Sequence, residues 1–193
     1  MPRLEELKQK VAALYAQKNS DRDEWADWLY PNHVVVVTEN AERLAELYDA
    51  NAELAAAAAV LHDVADAVMA REKPEHEKRS IELAMQLLEQ TGFTREERDV
   101  VADALRLHSC RTELPHSLEG RVMAAADGLA HVATDFYDFA IREKHKEGET
   151  DEQIRAWGMP KIDRDYYKKI SFDDLREEVA ADYERVKALF EAL

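Results

Sequence analysis

The sequence predicts an all-α protein, a bundle-like helical globule, on three observations. Apolar residues recur at helical spacing along most of the chain. Only five glycines and five prolines interrupt its 193 residues, and several stand where helices should start or stop. A hydrophobic share of 46% also gives one domain of this size a sizeable core.

The elements follow in order. Leu4, Leu7, Val11, Leu14 and Tyr15 predict an amphipathic helix over 3–18. Ser20 or Asp21 caps a short second helix carrying Trp25 and Trp28. Pro31 suits a first helical turn leading into His33 and four valines, 34–37. Propensity alone allows a buried strand there, but Ala41, Leu44, Ala45, Leu47 and Tyr48 continue an unbroken helical stripe, which favours helix. Asn51 caps a helix ending near Ala70, and its stretch from Leu54 to Leu61 is apolar on every side, which marks a buried helix. Pro74 starts another helix, with Ile81, Ala84, Met85 and Leu88 inward, and Gly92 stops it.

Thr94 with Glu97 forms a capping box for a helix through Leu105 to His108. After Pro115, Ser117 starts a long helix through Val122, Met123, Ala126 and Leu129 that runs to Lys146, where Gly148 ends it. Residues 148–170, with Gly158-Met159-Pro160 and Tyr166-Tyr167, read as a polar, irregular connector or lid. Ser171 caps a last helix whose Leu175, Val179, Tyr183, Val186 and Phe190 form a docking stripe. There is no repeat, no linker and no Gly-rich phosphate loop.

Composition narrows the function classes. With 26 Lys and Arg against 41 Asp and Glu, the net charge of −15 argues against a nucleic-acid polymer as partner, while a local basic patch remains able to capture one phosphate. Cys110 is alone, so no internal disulfide forms. No apolar run approaches the ~18 residues that cross a bilayer, and the N-terminus opens an acidic amphipathic helix. The expectation is a soluble, cytoplasmic protein with no membrane partner, compatible with a homodimer.

The chemistry-bearing residues share one oddity: His33, His62-Asp63, His108 and Asp127 are polar groups embedded in apolar runs. Burying a carboxylate beside an imidazole is costly without a partner, and one metal ion satisfies both. Imidazole plus carboxylate ligation suits Mn, Fe, Co, Ni or Zn better than Ca or Mg. Neighbours on a helix diverge by ~100°, so His62 and Asp63 must straddle a groove where other helices meet. His131 lies one turn after Asp127 and is expected to hydrogen-bond beside it. His116 and His145 read as exposed, Cys110 as a small buried residue, and Trp25, Trp28, Phe136, Tyr137 and Phe139 as core.

In this order and spacing, His33, the doublet in Leu61-His62-Asp63-Val64-Ala65-Asp66, and Asp127 after Val122-Met123-Ala124-Ala125-Ala126 resemble the signature of the HD superfamily of metal-dependent phosphohydrolases. The resemblance covers roughly residues 30–145 of a single domain spanning 1–193, with the helix over 171–192 docked on it. It implies hydrolysis of a nucleotide or other small phosphorylated metabolite by a metal-activated water. His33, His62, Asp63 and Asp127 would be metal ligands, and His76 and His108 would hold a second ion, so that one or two divalent transition-metal ions bind. For His76 the alternative is a solvated histidine at a helix start.

Asp66, three residues after Asp63 on the same face, is assigned general acid/base work, and Lys78, Arg79 and Arg111 are assigned to phosphate oxygens. The chain departs from many relatives at Val36, where an Arg or Lys commonly follows the first His. Two other readings of the same residues are a di-iron oxygenase and a metal-stabilised binding module without turnover.

Overall fold

Where an apolar stripe meets a side-chain cap, this chain forms a helix, and no strand appears anywhere. The computed structural model describes residues 1–193. Its helices are α1 (Arg3–Ala16), α2 (Ala26–Leu29), α3 (Val35–Leu47), α4 (Ala52–Leu61), α5 (His76–Gln90), α6 (Arg95–Leu107), α7 (Leu118–Val132), α8 (Phe136–Lys146), α9 (Asp151–Arg164), α10 (Asp173–Glu178) and α11 (Ala180–Glu191). None is long and apolar enough to cross a membrane.

Three caps form as the sequence predicts. Asn51 accepts from the Leu54 amide, Ser117 from the Gly120 amide, and Thr94 and Glu97 close a reciprocal capping box. Gly92 and Gly148 take φ of +83° and +88°, the left-handed conformation that ends a helix.

The centre of the molecule is α4. Every residue from Leu54 to Leu61 is buried, so α3, α6 and α7 pack around it with α1 along another side. Five consecutive alanines, Ala55–Ala59, keep that helix thin, so its neighbours approach closely. On the far side, α11 and the turn after α9 lie against α7, and α9 packs on both of them.

Five expectations need correction. Neither Ser20 nor Asp21 caps the second helix, whose N-cap position is Trp25 without a side-chain bond. The helix capped by Asn51 ends at Leu61 rather than near Ala70. Asp63 adopts φ −121°, ψ 27°, outside the helical region, and a 3₁₀ turn, Val64–Ala67, follows. The long helix from Ser117 breaks after Val132, because the Thr134 hydroxyl donates to the Ala130 carbonyl and accepts from the Phe136 amide, restarting the chain as α8. Residues 148–170 are mostly helical, since Thr150 and Gln153 form a second capping box. The last helix is two pieces hinged at Val179, and Ser171 caps neither, Phe172 standing at the N-cap without a side-chain bond.

Gly158 and Pro160, which read as breakers, both lie inside α9. Gly158 is there for packing: a Cβ at that position would collide with the ring of fully buried Phe190. Gly158→Ala therefore overpacks the seam between α9 and α11. The expected loss is about 1–3 kcal/mol, read as a lower midpoint in urea or a lower Tm.

Candidate metal centre

His33, His62 and Asp127 come from three different segments and converge at the middle of the core. His33 lies in a π turn, Tyr30–Val34, that joins α2 to α3 with Pro31 at its start. His62 caps the C-terminal end of α4, and Asp127 projects from the middle of α7. Their ligand atoms all lie within 4.8 Å of one another. His33 Nε2 is 3.1 Å from His62 Nε2 and 3.3 Å from Asp127 Oδ1, and His62 Nε2 is 3.9 Å from that same oxygen.

Asp63 joins the edge of this group, its Oδ2 lying 3.4 Å from His62 Nε2. The helix ends between His62 and Asp63, and the non-helical backbone of Asp63 lets two sequence neighbours face one site. The Tyr15 hydroxyl donates to the Asp63 carbonyl at 2.8 Å and pins that corner.

The protonation pattern suits a cation. His62 Nδ1 lies 2.6 Å from the Ala59 carbonyl, which can only accept, so Nδ1 carries the proton and Nε2 presents a lone pair. His108 is set the same way by the Leu105 carbonyl at 2.6 Å, and its ring lies 5.8 Å from that of His62. Burial holds His33 and His108 below the usual histidine range, so both are neutral at pH 7. Asp127 is 2% exposed, yet its Oδ1, which faces the imidazoles, accepts no hydrogen bond. An ionised, buried and unbonded carboxylate oxygen opposite two imidazole nitrogens fits a transition-metal ion.

The other oxygen of Asp127 is held from behind. Lys169 Nζ donates to Oδ2 at 2.5 Å and lies 3.2 Å from Asp165 Oδ1. Asp165 is fully buried, and its Oδ2 accepts from the Tyr137 hydroxyl at 2.5 Å and from Lys161 Nζ at 2.9 Å. His131 lies between, with Nδ1 3.0 Å from Asp165 Oδ2, Nε2 3.4 Å from Asp127 Oδ1, and its ring stacked on His33. Burial opposes ionisation of Asp127, but the Lys169 ammonium against it outweighs that and holds its carboxyl well below the usual range. Burial also pushes His131 down to about 3 and Lys161 down to about 8.

Asp165 and Lys169 belong to a second π turn, Asp165–Lys169. It packs so close to α7 that a Cβ at Gly128 would meet the Asp165 carbonyl at 2.9 Å and Lys169 Cβ at 3.0 Å. Sequence reasoning missed Lys169, Asp165, Lys161 and Tyr137 as neighbours of the site. The one available signal was the Asp165/Lys169 pair at helical spacing, lying in a stretch that reads as irregular.

In front of the ligands lies a cleft of about 150 Å³, lined by His62, Asp63, Arg71, His76, His108 and Arg111 among others. His76 faces it, and His76 Nε2 bonds Asp66 Oδ1 at 2.7 Å, so its partner is Asp66 rather than Asp63. Asp66 itself is 1% exposed and lies behind the wall, engaged also by Arg71, so it reaches the cleft only through those two side chains. Arg71 was not singled out from the charged run Arg71-Glu72-Lys73.

Of the three cations assigned to phosphate, Arg111 lines this cleft, together with Arg106. Lys78 and Arg79 line a separate groove with Val68, Met69, Glu75 and Glu82, and both reach towards Glu82. His116 and His145 are surface residues bonded to Asp103 and Asp151. Cys110 is buried.

The metal-free protein should lose stability as pH falls through about 6.5. His33, His108 and His131 have folded-state pKa values below their unfolded ones, so they stay neutral when folded and take up protons only on unfolding. The unfolded state then binds more protons, and stability falls as pH falls below ~6.5. Thermal melts between pH 7.5 and 5.5 check the sign; a flat or rising Tm contradicts it.

A family model described as the HD domain matches residues 30–131, just over half of the chain. Three crystal structures of Bacillus subtilis YpgQ are similar in fold, each covering 99% of this chain. The selenomethionine form has a TM-score of 0.70 at 20% identity over 96% of that chain. The unsubstituted form gives 0.70 at 21% identity over 95%, and the complex with ADP gives 0.71 at 21% identity over 95%. No curated protein matches the chain.

Proposed function

The chain belongs to the HD-domain family, and from that premise we propose that it is a metal-dependent phosphohydrolase acting on a nucleotide or other small phosphorylated metabolite. The observation that carries the reading is the unbonded Asp127 Oδ1 facing His33 and His62, at the back of a cleft that gathers arginines in a protein of net charge −15. The likeness in fold to YpgQ, which was solved in complex with ADP, supports a nucleotide as the first substrate to try.

His33, His62, Asp63 and Asp127 would hold the ion, with His108 at the cleft side. When bound, such an ion supplies Lewis acidity and a water acidified towards pKa ~7. The chain's own residues do the rest. Lys169 fixes Asp127 by Oδ2, which leaves Oδ1 as the free ligand atom. Arg106 and Arg111 line the cleft where the anionic oxygens of a phosphoryl group would sit, and small local basic charge focuses such a ligand despite the acidic remainder. Ser80 and Ser109 add hydroxyls to the same wall. Asp66 keeps its acid/base assignment through His76: the buried carboxylate orients the imidazole, and the imidazole faces the cleft where a proton is moved.

Two experiments test this. In the first, purified protein is loaded with Mn, Fe, Co, Ni or Zn and assayed against nucleotides and sugar phosphates. At least one pair should turn over, and Asp127→Asn, which removes the charge of the central ligand, should abolish both turnover and metal retention. Metal retention without phosphate release across the whole panel would favour a binding module instead.

In the second, Asp66→Asn should retain the metal while turnover falls by about 10²- to 10⁴-fold. A full rate with full metal content would remove Asp66 and His76 from proton transfer.

A further inference from the structure

The side of the cleft away from Asp127 already contains a cation. Arg71 Nη2 donates to Asp63 Oδ2 at 2.6 Å and also bonds Asp66 Oδ2, while Arg71 Nε donates to Asp66 Oδ1 at 3.2 Å. The guanidinium therefore spans the two carboxylates, and His76 completes the group on Asp66. Asp63, His76 and His108 are the donors that a second metal ion would draw on; Arg71 engages Asp63 directly, and through Asp66 it shares a partner with His76.

Arg71 is not a loose surface arginine, although its side chain keeps 46% of its surface exposed. Its own amide donates to Asp23 Oδ2 at 2.9 Å, the Ala70 amide to the Asp21 carbonyl at 2.8 Å, and Asn19 Nδ2 to the Val68 carbonyl at 2.9 Å. The loop that carries it is thus sewn to the loop after α1, and the guanidinium lies over the Trp25 ring at 5.4 Å. A cation fixed at this point disfavours another by like-charge repulsion as well as by occupying its ligands.

We propose that the Arg71 guanidinium is a resident second cation of this cleft, which takes the place of a second metal ion and limits the centre to one. The inference rests on the reading of His33, His62 and Asp127 as a metal centre, and the number of ions bound separates the two. A guanidinium is always charged and cannot be lost by dialysis, so the cleft keeps this positive centre at any metal concentration. It also leaves the His108 lone pair without a second ion to serve, free to accept a hydrogen bond from a water or ligand in the cleft.

The test is a metal count on full-length protein, loaded with Mn(II), dialysed, and measured by mass spectrometry of the metal alongside electron paramagnetic resonance. The unmodified protein should hold one ion per chain with the spectrum of an isolated Mn(II). Arg71→Met, and the milder Arg71→Gln, should hold two ions whose spectrum shows spin coupling, because ions sharing Asp63 would lie ~3.5–4 Å apart. Arg71→Lys, which keeps a charge, should remain at one. Two ions in the unmodified protein overturn the inference and leave the metal centre intact. One ion in a folded Arg71→Met or Arg71→Gln protein, checked by its helical circular dichroism, also overturns it. No retained ion in any form overturns the metal-centre reading and this inference together.

Discussion

A carboxylate at the middle of a helical core has to be compensated, and Asp127 sets the terms for everything around it. Its charge is removed from water at the point where α3, α4 and α7 meet. An isolated ion there would cost several kcal/mol. The structure compensates it from two sides by different means. Behind it, Lys169, Asp165, His131, Lys161 and Tyr137 form a bonded network with no water required. In front, two imidazoles face its unbonded Oδ1, which leaves a place for a cation. The C-terminal third of the chain, beyond the matched family segment, thus supplies the support that fixes the position of Asp127.

The same logic orders the cleft. The chain is strongly acidic, yet the cleft beside His62 and Asp63 is lined by Arg71, Arg106 and Arg111. Burial works against charge at Asp63, Asp127 and Asp165, and neighbouring cations hold each ionised. Ionic groups are therefore not spread over a generic surface here; they alternate in sign from Lys161 through Asp165, Lys169 and Asp127 towards the cleft, and each step is within hydrogen-bonding distance of the next.

Much of this was legible in the sequence, for physical reasons that can be stated. Buried helices reveal polar intruders because nothing else in them is polar, which is how His33, His62, Asp63 and Asp127 stood out. Caps such as Asn51, Thr94 and Ser117 are local, so local sequence suffices to find them. Lys169 and Asp165 were hidden because a lysine in a polar segment looks like any solvated lysine until tertiary packing buries it. Arg71 was hidden for the same reason. Gly158 and Pro160 misled because a glycine chosen for contact with Phe190 carries the same letter as one chosen for a turn. The break at Asp63 was invisible too: nothing in the residues 62–70 announces that the helix stops, and the stop is what turns the doublet towards one point.

The two π turns, Tyr30–Val34 and Asp165–Lys169, each accommodate one residue more than an α-helical turn would. Each is closed by a wide i to i−5 bond, Val35 to Tyr30 and Ile170 to Asp165. An α-helix advances ~100° per residue, so excising a single residue from either turn would rewind the helix and swing the side chains beyond it by about a quarter of a circle. Length as well as residue identity is therefore constrained in these two pentapeptides: a chain one residue shorter at the first would aim His33 away from Asp127, and one shorter at the second would withdraw Lys169 from it.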